Sequence, residues 1–250
     1  MNHIWQGSLD IFYSAVIVGI VVGQAVLYFA LQEAKLPLKH LFFLSFWALL
    51  PALIGARLMA VLGYSASGTP VSFAEIFLPP YEFTASSGFF LFAFAGFFAA
   101  SWFHKIRGSL RLTLGDCFVR AIVAGFCIGR LGCAIIFDHV GTQTDFFLGQ
   151  PYPRLWGPPE IRHNLGLYEF LLLSFVLLPL NIALSKRKAA PGVLSGVAIL
   201  IYCTGRFFLD FLRELDARHY GLTPAQWLCI AGAFFSLGLL LKVRAKRSRA

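Results

Sequence analysis

Gly129-Arg130-Leu131-Gly132-Cys133-Ala134-Ile135-Ile136-Phe137-Asp138-His139-Val140-Gly141 places an arginine inside an apolar run and closes on an Asp-His pair. The run starts near Thr113 and reaches Phe137, enough for the roughly 20 residues that a helix needs to span a bilayer. A charge at membrane depth costs about 2.5–3.5 kcal/mol on insertion scales, so Arg130 is a functional candidate by default.

The residues around this stretch make the membrane reading general. Of 250 residues, 58% are hydrophobic and 13% are charged. A soluble domain carries about 25% charged residues. The 27 phenylalanines supply apolar bulk suited to lipid-facing helices. Net charge is +9, and in a membrane protein its placement matters more than its total, so nucleic-acid binding is not expected. Residues before the first apolar run contain no Lys or Arg, so a cleavable signal peptide is not expected.

Seven segments are long and apolar enough to cross. They run roughly from Leu9 to Leu31, Leu41 to Tyr64, Ser86 to Phe103, Thr113 to Phe137, Leu165 to Leu184, Gly192 to Leu212 and Pro224 to Leu241. Pro224 suits a first helical turn. All seven lysines fall in four alternating regions: Lys35 and Lys39, Lys105, Lys186 and Lys188, and Lys242 and Lys246. By the positive-inside rule the N-terminus lies outside and the C-terminus in the cytoplasm. The expected fold is therefore all-α: an integral membrane bundle of about seven transmembrane helices, forming a single polytopic domain over 1–250. Its long outer loops, about 65–85 and 138–164, are rich in Pro, Gly and aromatics. They read as a lid or as an interfacial layer at headgroup level.

Eight arginines remain outside the four basic regions, and no lysine is among them. Arg57, Arg130 and Arg206 fall at similar depth on three helices, roughly 10 Å below the outer surface at 1.5 Å per residue. A guanidinium is more weakly hydrated than an ammonium and grips phosphate with two prongs. Either each arginine pairs with a carboxylate for structure, or the set binds an anion such as a lipid phosphate. Asp116 and Arg120, four apart, read as a structural pair. Arg206, Asp210 and Arg213 share one helix face, which leaves a positive excess there. Arg130 has no acidic residue within a turn. Arg130 and Arg206 are therefore read as anion-binding.

Proton-transfer candidates are few. His139 follows Asp138 at the outer mouth, and His163 precedes Tyr168 and Glu169 near the next helix. A loop histidine is as readily a solvated one as a catalytic one. No stretch has metal-ligand spacing, and Asp138-His139 alone makes no site. Five cysteines without a CxxC pair read as small buried hydrophobes rather than a disulfide framework.

These residues resemble the prolipoprotein diacylglyceryl transferase family, seven-helix enzymes of the bacterial inner membrane. The quoted stretch is similar to that family's G-R-x-G-N-F-x-N-x-E-x-x-G. Gly55-Ala56-Arg57-Leu58 resembles its G-G-R-hydrophobic segment. Arg162-His163-Asn164-Leu165-Gly166-Leu167-Tyr168-Glu169 resembles R-H-P-S-Q-L-Y-E. Tyr202 to Asp216 (YCTGRFFLDFLRELD) resembles Y-G-x-x-R-F-x-x-E-F-x-R-x-P-D. Leu222 to Leu228 resembles its closing S-M-G-Q-x-L-S. The likeness spans most of the chain.

The departures are equally specific. The family's histidine in an H-G-G stretch has Ser86 as its counterpart. The signature asparagine is Cys133, and the signature glutamate is Asp138. The resemblance implies transfer of a diacylglyceryl group from phosphatidylglycerol to the lipobox cysteine of a secreted prolipoprotein, with release of glycerol phosphate and no cofactor. It implies that Arg130 and Arg206 hold the leaving phosphate, with Arg57, Asp210, Arg213, Gly141, His163, Tyr168, Glu169 and Ser86 about the substrates. His139, with Asp138 beside it, is the best substitute for the missing base. A diverged relative with another acceptor, or a membrane protein that holds an anionic lipid without turning it over, are the alternatives.

Overall fold

The computed structural model describes residues 2–66, 86–152, 160–214, 218 and 220–248, with backbone alone at 2–9, 59–66, 86–88 and 247. The chain is an all-α membrane protein. Its helices are α1 (Asn2–Glu33), α2 (Lys39–Leu44), α3 (Leu50–Ala66), α4 (Ser86–Phe103), α5 (Gly108–Ile136), α6 (Leu165–Leu171), α7 (Leu178–Lys186), α8 (Val193–Leu209) and α9 (Pro224–Arg247). Three short strands, β1 (Val140–Gln143), β2 (Gln150–Tyr152) and β3 (Glu160–Asn164), lie between α5 and α6. Among the described residues six helices are long and apolar enough to cross a membrane, and Phe89–Phe103 adds a shorter apolar one. The expected outer loop about 65–85 lies, from residue 67 on, outside the described residues.

Two crossings are built from joined pieces. A π-helical segment, Ser45–Leu49, links α2 to α3, and a second, Leu172–Leu177, links α6 to α7. Each is followed by a proline in the second position of the next helix, Pro51 and Pro179. Proline has no amide hydrogen and crowds the carbonyl four residues back. A locally widened turn accommodates that defect without ending the helix.

The chain packs as two compact units, Met1–Ala30 with Gly115–Ala250, and Leu31–Leu114. In the second, Gly55 of α3 lets the Phe92 ring of α4 approach so closely that a Cβ would stand 2.3 Å from it. In the first, α1 crosses α5 at Gly19 and Gly125. A Cβ on Gly125 would stand 2.5 Å from the Gly19 carbonyl oxygen. Gly19 and Gly23 form a small-xxx-small pattern, which lets helices meet backbone to backbone where lipid offers no hydrophobic drive. Val123, Cys127, Leu173, Leu177 and Ala198 form a buried cluster joining α5, the second π segment and α8.

Polar caps fix the ends. Asp116 of α5 accepts from the amides of Gly192 and Ser195, at 2.7 and 2.8 Å, so it caps α8. Asp116 thus keeps Arg120 as its electrostatic neighbour on α5 and in addition serves the exposed N–H groups at the start of α8. Thr223 and Gln226 form a capping box on α9, with Pro224 in the first turn as expected.

The second outer connection also departs from the sequence reading. The expected loop at 138–164 holds an antiparallel sheet of order β1-β3-β2. Gln150 and Gln143 both face Arg162 across it, with a bulge between Val140 and Gln143. Pro151 is tolerated because β2 is an edge strand.

Candidate active site

The site is assembled from α5, the sheet, α6 and α8, all within one unit. The last two turns of α5 carry Arg130 and Cys133. Phe137, the next residue after the helix, takes a left-handed conformation with φ 54°, and its amide donates to the Cys133 carbonyl at 2.9 Å. A non-glycine residue rarely adopts this conformation. Here it reverses the chain, so Asp138 and His139 come back over Cys133 and Arg130. The Leu165 amide then donates to the His139 carbonyl at 3.0 Å and ties that turn to the start of α6. Asn164 completes the junction. It caps α6 by accepting from Leu167, and its amide group donates to the Ala134 carbonyl and to Gln150, each at 2.8 Å.

Arg130 is 2% exposed and sits at the centre. Its Nη1 is 2.6 Å from His139 Nε2, its Nε is 3.0 Å from Glu169 Oε2, and it lies over the Phe126 ring. Arginine only donates, so His139 Nε2 accepts and Nδ1 carries the proton. That proton is donated to Asp138 Oδ1 at 2.5 Å. Arg130 Nη2 is buried and makes no hydrogen bond among the described residues.

Glu169, fully buried, bridges two arginines, with Oε2 toward Arg130 and Oε1 paired with Arg206 Nη1. Tyr202 also donates to Oε2, at 3.1 Å. Arg206 Nη2 reaches Asp210 Oδ1 at 2.9 Å, and Arg213 Nε stands 3.4 Å from the same oxygen. The Thr223 hydroxyl donates to Asp210 Oδ2. Only Arg206 of the three residues read on one helix face lies in α8; Asp210 and Arg213 follow its end, and their positive excess is offset by Glu169 from α6. Three guanidiniums, Arg130, Arg206 and Arg213, meet three carboxylates, Glu169, Asp210 and Asp138.

The mouth is less buried. The side chains of His139 and Asp138 are 18% and 30% exposed. Burial, and after it the Arg130 guanidinium, pushes the His139 imidazole below its ordinary value, so it is neutral at physiological pH. Burial works against the Asp138 carboxylate, but the His139 ring and Arg130 more than offset this and hold it below the usual range. Arg162 takes Glu160, Glu214 and the Gly141 carbonyl, and these carboxylate partners raise its value. His163 is lowered by burial and shares a 2.8 Å hydrogen bond with the Tyr168 hydroxyl. Gly141 bridges to the backbone of Arg213, and a Cβ on it would stand 2.7 Å from His163 Cβ.

Ten of the twelve site residues named from the sequence therefore fall in this unit: Arg130, Asp138, His139, Gly141, His163, Tyr168, Glu169, Arg206, Asp210 and Arg213. Arg57 is buried in α3, and Ser86 opens α4, described there by its backbone alone; both belong to the other unit. Tyr202 and Thr223 were missed. The first had a signal, four residues before Arg206 on one face, and the second had the T-P-A-Q capping pattern. Cys133 Sγ, an Asp138 oxygen and a His139 nitrogen lie within 4.8 Å of one another, which makes them the described residues that could hold a metal.

A family model described as prolipoprotein diacylglyceryl transferase matches residues 3–242. A phosphatidylglycerol–prolipoprotein diacylglyceryl transferase of Pseudoalteromonas atlantica is 35% identical over 185 residues, 72% of this chain and 62% of that protein. Proteins of the same name from Idiomarina loihiensis and Ruegeria pomeroyi are each 28% identical. They cover 82% and 80% of this chain, and 76% and 75% of their own lengths.

Proposed function

The chain belongs to the prolipoprotein diacylglyceryl transferase family, a multi-pass protein of the bacterial inner membrane, and we propose that it transfers diacylglyceryl from phosphatidylglycerol to the cysteine thiol of a secreted prolipoprotein. The observation that carries this reading is Arg130 Nη2, a buried donor with no hydrogen bond among the described residues. Such a donor costs about 1–3 kcal/mol when left unsatisfied, and an incoming phosphate oxygen would remove that cost.

In the reaction the acceptor sulfur forms an S–C bond to the glyceryl carbon as the C–O bond to phosphate breaks. The electron pair leaves with glycerol phosphate. Arg130 and Arg206 lie where that developing charge is best stabilised, in a water-excluded centre whose dipoles are already oriented. Glu169 is a positioning residue: it holds both guanidiniums in place through one carboxylate. The Asp138–His139 pair stands at the mouth to activate the acceptor thiol, whose free pKa of about 8.5 leaves little thiolate at neutral pH. With the N-terminus outside, the mouth opens where a secreted precursor arrives. Arg57 and Ser86 are assigned to the substrates by their match to the family pattern.

The test is transfer by purified protein from labelled phosphatidylglycerol to a lipobox peptide. Thioether product lost in Arg130→Ala and in His139→Ala supports the reading. Lipid retained through Arg130, with no product and no glycerol phosphate, would instead show an anionic-lipid binder, the alternative favoured by the charge balance around Glu169. Phosphatidylglycerol consumed only with a different acceptor would show a diverged relative.

A further inference from the structure

Cys203 on α8 and Cys229 on α9 are free thiols that the transfer reaction does not use. Cys203 stands where the family's Y-G-x-x-R pattern has a glycine. The two thiols lie within hydrogen-bonding reach of one another across the helix interface. Gly232, one turn after Cys229, permits the approach: a Cβ there would stand 2.7 Å from Cys203 Sγ. Both cysteines line one fissure of about 230 Å³ with Phe207, Phe208, Ile230 and Phe234. Phe208 and Phe234 are 64% and 72% exposed, so the fissure opens on the lipid-facing side of the two helices.

We propose that Cys203 and Cys229 form a reversible redox pair, oxidised to a disulfide between α8 and α9 by a quinone dissolved in the bilayer. The inference does not rest on the transferase reading.

Depth and lining select the oxidant. At 1.5 Å per residue both cysteines sit roughly 8–9 Å below the outer ends of their helices. A folded oxidoreductase or a charged disulfide stops at the surface. A quinone partitions to that depth and meets aromatic walls. The bacterial periplasm on that side is a compartment where disulfides persist. The step balances: the two thiols give up two protons and two electrons as the S–S bond forms, and the quinone takes both pairs to become the quinol. A dithiol reverses it by exchange. The pair carries no sequence signature, because its members stand on different helices and form no CxxC motif.

The cross-link encloses the segment that carries Arg206, Asp210, Arg213 and Thr223. That segment is already tied across its ends, where the Gln226 side-chain amide donates to the Phe207 carbonyl at 3.0 Å and the Thr223 hydroxyl donates to Asp210. Closing the loop covalently restricts the unfolded chain and adds to those ties, so the oxidised form is the more stable one.

The experiment uses the full chain in phospholipid nanodiscs, reduced with dithiothreitol, freed of it and kept without oxygen. A fully substituted short-chain benzoquinone, which cannot itself add a thiol, is then supplied. Remaining thiols are alkylated under denaturing conditions and the intact mass is read. The expected result is two of the five thiols protected, a linked Cys203–Cys229 peptide and one equivalent of quinol. Dithiothreitol should restore all five, and the oxidised protein should unfold at a higher temperature than the reduced one. Cys203→Ala and Cys229→Ala should each leave every remaining thiol open to alkylation. Oxidised glutathione should react about tenfold slower or more, because its charges are excluded at that depth. Five alkylated thiols after quinone treatment overturn the pair, and protection that persists in Cys203→Ala overturns its assignment. Glutathione disulfide acting as fast as the quinone overturns the lipid-phase oxidant. An unchanged unfolding temperature overturns the stabilising role. Absence of transfer in oxidised and reduced samples alike would remove the transferase reading and leave the redox pair standing.

Discussion

Glu169 and Glu214 both accept from arginines in the same unit, yet the first is fully buried and the second is 45% exposed. Around Glu169 every charge has a fixed partner: Arg130, Arg206 and a Tyr202 hydroxyl on one carboxylate, Asp210 and Thr223 behind it. Around Glu214 the partner is Arg162, which also takes Glu160 and a backbone carbonyl. Contacts of the same chemical kind therefore differ in worth. In the dry centre an unpaired charge is intolerable, whereas at the rim water and salt replace either partner.

That contrast predicts a graded series. Glu169→Ala leaves two guanidiniums buried without their shared partner and should cost about 3–5 kcal/mol, read as a fall in thermal unfolding temperature in detergent. A loss below about 1 kcal/mol would break the contrast. Arg130→Lys keeps the charge but removes the two-pronged fork and the open Nη2. It should fold, and its product rate should fall about 10²- to 10³-fold, the scale of losing one transition-state donor. Asn164→Ala removes the cap on α6 and two ties to α5 and β2. It should cost about 0.5–2 kcal/mol and speed proteolysis of the 138–164 segment. Glu214→Gln should cost less than about 1 kcal/mol, and the difference should shrink as salt is raised.

The candidate site was legible in the sequence where a charge interrupts an apolar run. Arg130, Arg206 and Asp210 stand out because lipid makes such residues costly, so their presence asks for a reason. The pairing was less legible. Arg130 has no acid within a turn, and its partner Glu169 lies 39 positions later on α6. Spacing rules see only neighbours on one helix, which is also why they pair Asp116 with Arg120 but do not reveal its cap on the start of α8. The sheet at 138–164 was hidden because its strands are three to five residues long and carry a proline and a bulge.

The sequence by itself determined the membrane class, the apolar segments, the family and the arginines at the heart of the site. Each of these rests on the solvent: lipid sorts residues by polarity one at a time, and that sorting is written along the chain. Only the tertiary structure decided that α6 and the turn after α8 bring carboxylates to balance those arginines, that Arg130 keeps one donor open among the described residues, and that Phe137 folds Asp138 and His139 over Cys133. Those outcomes depend on distances between helices and on one backbone turn, and no linear spacing contains either.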